Sequence, residues 1–187
     1  MTNPKIDSNG TKRWYNSAGE RHRDNDLPAI EHVNGTKFWL QNGKRHRDND
    51  LPAVEYSNGT KYWYKNGKYH RDNDLPACEY ANGSKYWYSN GKLHRDNDLP
   101  ACEYIDGSKE WYKNGKRHRD NDLPAVEYAN GDKEYWINGQ EVETPINVAI
   151  TKTCNNTHTD KCEYCGSPAV IGLTINCSNE NCYLFKK

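Results

Sequence analysis

The sequence predicts an all-β fold: an elongated antiparallel meander of 24-residue hairpin repeats followed by a small cysteine-rich appendage. Three observations carry that expectation. His22, His46, His70, His94 and His118 stand 24 residues apart, each followed by Arg-Asp-Asn-Asp-Leu-Pro-Ala, and a fixed period of that length is the signature of a repeat array. Asn34-Gly35, Asn58-Gly59 and Asn82-Gly83 sit between short alternating segments, a strong hairpin signal because a type I′ turn needs positive φ at both central residues. Cys154, Cys162, Cys165, Cys177 and Cys182 crowd the far end, past the last repeat.

Composition is compatible with such an array and narrows its function. Only 34% of residues are hydrophobic, which alone would suit a disordered chain. The 14 Tyr and 6 Trp recur periodically, however, and large rings can cover a thin sheet without a thick aliphatic core. The 26 basic residues balance 26 acidic ones, so the strongly basic face of a sequence-independent nucleic-acid binder is not expected. No apolar run approaches the roughly 18 residues of a membrane span, so no membrane partner is expected. The opening MTNPKIDSNG lacks the apolar segment of a signal peptide, which predicts a cytoplasmic protein.

Counting outward from Asn58-Gly59 as a two-residue turn sets an expected register. Ser57 faces Thr60, Tyr56 faces Lys61, Glu55 faces Tyr62 and Val54 faces Trp63. The same count pairs Ile30 with Trp39, Cys78 with Trp87, Cys102 with Trp111 and Val126 with Tyr135. An apolar residue meets an aromatic one each time, so that face is expected to be the buried one. Cys78 and Cys102 then lie two strand spacings apart, roughly 9 to 10 Å. That is too far for a disulfide, which needs Cα atoms within about 7 Å. They read as small apolar residues replacing Ile or Val. Ser84 and Ser108, alternating with Thr36 and Thr60, read as turn chemistry.

A second Asn-Gly, as in Lys65-Asn66-Gly67-Lys68, leads into the His-Arg-Asp-Asn-Asp-Leu-Pro connection. Its Asp and Asn are expected to form Asx turns, with Pro presetting φ for re-entry. Twelve or so strands would make a twisted sheet on the order of 50 Å long.

The repetition lines up His22, His46, His70, His94 and His118 along one rim, with Arg23, Arg47, Arg71, Arg95 and Arg119 in a parallel row. This ladder has two principal readings. In one, Arg and Asp bridge neighbouring connections and satisfy their polar groups, a structural role. In the other, the Arg and His rows with nearby Tyr rings form a strip for an acidic partner, phosphate or a nucleotide. Calcium held by the Asp pairs is a third. Catalysis is not expected, because an active site breaks symmetry and every copy here carries the same residues.

The aromatic-Tyr-x-Asn-Gly-Lys core seen in Trp63 to Lys68 resembles the MORN repeat family and its phage and giant-virus relatives, over about residues 9 to 142. Where that family carries a glycine after the connection, this chain has Asp-Asn-Asp. The resemblance implies a hairpin-repeat fold.

The ends of an array need atypical units. Asn16-Ser17-Ala18-Gly19 is one residue longer than Gln41-Asn42-Gly43, and Tyr135-Trp136 inverts the usual aromatic order. After Asn138-Gly139 the His-Arg-Asp motif gives way to Gln140-Glu141-Val142-Glu143. The expected division is a repeat array over 1–143, a linker over 144–159 and a small domain over 160–187.

In that last segment Cys162-x-x-Cys165-Gly166 and a second pair, Cys177 and Cys182, are separated by eleven residues. Two Cys pairs so spaced suit a structural zinc site of four thiolates, with Ala169 to Asn176 as strand material. Cys154 reads as a free thiol. The block CEYCGSPAVIG resembles the zinc ribbons of the phage restriction-alleviation protein family, which implies a zinc ribbon and a phage-encoded protein acting in a host cytoplasm.

The expected function is a non-enzymatic protein-interaction module, phage-encoded, that modulates a host macromolecule such as a defence or restriction component. Nucleic-acid or nucleotide binding through the Arg, His and Tyr rows and the ribbon is the alternative. An unpaired terminal strand would permit a homodimer through the sheet edge.

Overall fold

In the unit starting at Val54, four two-residue strands follow in order: Val54–Glu55, Lys61–Tyr62, Tyr64–Lys65 and Lys68–Tyr69. The computed structural model describes residues 3–143, together with the backbone of Leu173–Ser178 and Asn181–Lys186. The chain divides into two units, Met1–Gln140 and Glu141–Lys187. The first is all-β. The first two strands of every repeat join one 13-stranded antiparallel sheet, running from Lys5–Ile6 to Gln140–Val142. The third and fourth strands form separate hairpins beside it, such as Leu40–Gln41 with Lys44–Arg45 and Tyr88–Ser89 with Lys92–Leu93. The end units differ, as their sequences suggested. The first keeps only a bridge between Tyr15 and Arg21, and the last fuses into one five-residue strand, Lys133–Ile137.

The register departs from expectation by one residue. Val54 lies opposite Tyr62 and Glu55 opposite Lys61. Ile30 meets Phe38, Cys78 meets Tyr86, Cys102 meets Glu110 and Val126 meets Glu134. The cause is the turn. Gly59 has φ +92° while Asn58 is absent from the left-handed region. The Tyr56 N–H donates to Thr60 O at 2.9 Å, and Gly59 N–H to Tyr56 O at 2.9 Å. This is a three-residue loop closed by a left-handed glycine. Asn58 serves it through its side chain, whose Oδ1 accepts the Thr60 N–H at 3.0 Å.

The type I′ geometry is found at the second Asn-Gly instead. Asn66 and Gly67 have φ +52° and +83° and join Lys65 to Lys68 as a two-residue turn. Gly67 N–H donates to Arg45 O at 2.8 Å, stitching this hairpin to the one before it.

Because strands alternate faces, the shift changes what is buried with what. Val54 shares its face with Tyr62, and Trp63 turns to the face of Glu55 and Lys61. Both sides are covered: Val54 is 0% exposed and Trp63 6%. Ala53, Ala77, Ala101 and Ala125 are fully buried where each strand enters. The Thr36, Thr60, Ser84 and Ser108 hydroxyls are buried and accept the N–H of Ser57, Ala81, Ile105 and Ala129 in the next turn, at 3.0 to 3.2 Å. Turn chemistry thus ties each unit to its successor. Cys78 and Cys102 are free and 2% exposed, and burial pushes both thiols up to about 12.

In the second unit Leu173–Ser178 pairs antiparallel with Asn181–Lys186, placing Cys177 directly opposite Cys182. Cys154, Cys162, Cys165 and the expected linker lie outside the described residues.

Candidate functional site

The connection Asp48-Asn49-Asp50-Leu51 is a β-turn with two successive left-handed residues, Asn49 at φ +59° and Asp50 at +54°. Leu51 N–H closes it onto Asp48 O at 3.2 Å. This replaces the expected Asx turns. Asn and Asp tolerate positive φ better than other non-glycine residues, but each still carries strain. Glycine would relieve it and keep the backbone carbonyl, but would lack the carboxylate. The Asp50 carbonyl accepts the indole N–H of Trp63 at 3.0 Å. Its carboxylate accepts Nε and Nη2 of Arg71, both at 2.8 Å. The next unit grips this one residue by backbone and side chain together. The same clasp joins Asp26 to Trp39 and Arg47, Asp74 to Trp87 and Arg95, and Asp98 to Trp111 and Arg119.

Each arginine is occupied further. The Arg71 guanidinium lies 3.8 Å from the Trp63 ring centroid, while Nη1 donates to Pro76 O at 3.3 Å and to Glu79 at 2.9 Å. Its side chain is 12% exposed. The Arg forks hold Asp26, Asp50, Asp74 and Asp98 below the ordinary carboxylate range. Arg23 stacks on Trp14 and bonds Pro28 O and Glu31; the residue equivalent to Asp26 in its case is Thr2, outside the described residues.

The histidines are equally committed. His46 Nδ1 accepts the Asn66 N–H at 3.1 Å. A backbone N–H can only donate, so Nδ1 is the acceptor and Nε2 carries the proton given to Asp48 at 3.0 Å. His22, His70, His94 and His118 repeat both bonds. The structure therefore brings the predicted His and Arg rows together on one rim, with their polar atoms committed to their own unit and to its neighbours. Clefts of about 420 and 150 Å³ open between successive rungs, lined by these same residues. Among the described residues no cluster of three or more His, Cys, Asp or Glu is placed to hold a metal.

A different surface emerges from the corrected register. His32, Phe38, Tyr56, Tyr62, Tyr80, Tyr86 and Tyr104 form one unbroken row of rings, each 5.0 to 6.0 Å from the next and set at steep angles. A shorter stack, Tyr64–Tyr69–Tyr88, adjoins it through Tyr62. The ring row is half-buried; Tyr56 is 37% exposed. Burial raises the phenols of Tyr62, Tyr69, Tyr80, Tyr86, Tyr88 and Tyr104.

The row ends where the repeat breaks symmetry. Glu110 stands in the place of Tyr62 and Tyr86 and is 8% exposed. It accepts the hydroxyls of Tyr104 at 2.9 Å and Tyr112 at 2.7 Å, and Arg117 Nε at 3.1 Å. One unit on, Glu134 accepts Tyr128 and the Trp136 indole at 2.7 and 2.9 Å. Sequence reasoning looked for asymmetry along the ladder and missed it here. The signal was Lys109-Glu110-Trp111 against Lys61-Tyr62-Trp63.

No helix of the described residues is long and apolar enough to cross a membrane. No protein-family model, curated protein or solved structure matched the chain.

Proposed function

We propose that the chain is a non-enzymatic protein-interaction module that engages its partner through the tyrosine row. One observation carries this reading: the Arg and His rungs spend their donors and acceptors inside the array, whereas the row presents half-exposed rings repeated in register. Tyr is a favoured interface residue because it offers large, rigid contact area with a polar tip at low entropy cost. The alternative, binding of nucleic acid or nucleotide through the ladder, needs guanidiniums free to meet phosphate, and four of the five are bidentate to aspartate. On the opposite face Lys37, Lys61, Lys85, Lys109 and Lys133 alternate with glutamates in the ladder, leaving no uniform positive field.

A structural zinc on Cys162, Cys165, Cys177 and Cys182 belongs to this proposal, supported by their spacing and by the cross-strand position of Cys177 and Cys182. A phage-encoded role against a host defence or restriction component rests on the sequence resemblances alone.

The test is affinity capture from bacterial lysate with the intact chain, identification of the prey, and reconstitution with that prey purified. Tyr56→Ala with Tyr80→Ala should abolish the reconstituted complex while the variant still melts cooperatively. Retention of the complex by that variant, and its loss with Arg47→Lys, would shift the site to the ladder.

A further inference from the structure

We infer that the tyrosine row is a docking track for an extended, proline-rich segment in the polyproline II conformation, an inference that rests on the interaction reading above. The first argument is metric. Each unit adds two strands at about 4.8 Å, so an equivalent ring recurs about every 9.6 Å along the sheet. Polyproline II rises about 3.1 Å per residue with three residues per turn, a repeat of about 9.3 Å. The mismatch is about 0.3 Å per unit, so it grows to only about 0.6 Å over the two steps linking Tyr56, Tyr80 and Tyr104. A ligand with proline at every third residue would meet the same ring environment at each turn.

Ring geometry supplies the second argument. The planes of Tyr56 and Tyr62, Tyr62 and Tyr80, and Tyr86 and Tyr104 meet at 75°, 69° and 67°. Edge-to-face packing alternates ring edges and ring faces along the row, and aromatic-lined surfaces are where proline-rich segments dock. Polyproline II has no internal hydrogen bonds and packs against rings through its pyrrolidine faces, so the track can seat it by ring contact although the Tyr104 hydroxyl is already given to Glu110.

Charge supplies the third and gives the track a direction. Residues 120–140 hold five acidic residues and one basic, whereas residues 1–24 hold five basic and three acidic. The row runs toward the acidic end. Glu110, where it stops, is buried and already paired with Arg117. A basic residue on the ligand therefore belongs at the exposed carboxylates of that end, Asp122 and Asp132 among them.

The experiment is calorimetric titration of the intact chain with two 15-residue peptides of identical composition. One has proline at every third position and a terminal arginine; the other has its prolines regrouped irregularly. The regular peptide should bind saturably and at least tenfold more tightly than the regrouped one, and shortening it to nine residues should weaken binding severalfold. Tyr56→Glu, at the most exposed ring of the run, should weaken it tenfold, and Tyr80→Phe, which keeps the ring, should weaken it less than threefold. Equal binding of the two peptides, no binding, or preferential binding of oligothymidylate would overturn the inference. Loss of a reconstituted protein complex on altering the row, with neither peptide bound, would leave the interaction reading standing and sink this one alone.

Discussion

Arg71 holds Asp50 of the preceding unit through two bonds of 2.8 Å, from Nε and from Nη2, while its guanidinium lies over Trp63, 3.8 Å from the ring centroid. Trp63 in turn bonds the Asp50 carbonyl. A strained turn in one unit is thus fixed by two side chains of the next, and the array is a chain of such clasps.

Removing the clasp should destabilise more than removing its charge. Arg71→Ala strips the ring cover and leaves Glu79 and Asp50 unmatched, an expected loss of about 2 kcal/mol. Asp50→Asn keeps a residue that tolerates positive φ and one acceptor. Its cost should be about 1 kcal/mol or less, because the carboxylate is 44% exposed and water screens it. Urea unfolding of the two variants checks the order; equal losses would mean that the ring contact contributes nothing.

Four clasped aspartates predict an acid limb. Asp26, Asp50, Asp74 and Asp98 titrate lower folded than unfolded because Arg donors hold the charged form. Their contribution is fully present above the unfolded value of about 3.9 and is lost as pH falls through the lower folded values. The urea midpoint should fall below about pH 4. It should fall less steeply in a variant with all four replaced by Asn. An unchanged slope in that variant would assign the acid limb to other groups.

The buried thiols should be inert while the array is folded. Burial pushes Cys78 and Cys102 up to about 12, so at about pH 8 the reactive thiolate is scarce as well as covered. Mass mapping after brief alkylation should find neither modified, and both modified in denaturant. Labelling of either in the native protein would contradict the packing described.

Glu110 and Arg117 should be strongly coupled. Glu110→Tyr restores the ring found in neighbouring units but leaves Arg117 without that carboxylate, so it should destabilise by about 1–2 kcal/mol. Adding Arg117→Leu, the residue at Leu93 one unit earlier, should recover most of that loss. Additive losses in the double-mutant cycle would show the pair to be independent.

The zinc proposal predicts one equivalent of metal per chain with four sulfur ligands at about 2.3 Å by X-ray absorption. Cys162→Ser should abolish tight binding and Cys154→Ser should leave it unchanged. Nitrogen ligation, or dependence on Cys154, would require a different ligand set.

The meander was legible because period, turn residues and β-formers agreed. Its register was not, since Asn58-Gly59 and Asn66-Gly67 are the same dipeptide in different loops. The distinction lies one residue further on. Thr60 is drawn inward, and its hydroxyl meets the Ala81 N–H of the next unit, a contact invisible without the stacking. Asp106 at the first kind of turn is the clue available from sequence: it needs only a side-chain acceptor, and its Oδ1 takes the Ser108 N–H at 2.9 Å. The ladder's position followed from the repeat, and bridging of neighbouring connections by Arg and Asp was one of its two principal readings; which aspartate reaches which arginine, Asp50 to Arg71, needed the stacked units. The tyrosine row stayed hidden because the expected register set Tyr62 opposite Glu55 on the outer face.

The ladder guanidiniums act as internal clasps along the array. The most direct measurement is hydrogen exchange of the arginine Nε–H groups by nuclear magnetic resonance. The clasps predict slowly exchanging Nε–H signals for Arg47, Arg71, Arg95 and Arg119, each exchanging faster when Asn, with one acceptor fewer, replaces the matching aspartate. Four rapidly exchanging, solvent-like signals would contradict them and return the ladder to the surface as a site.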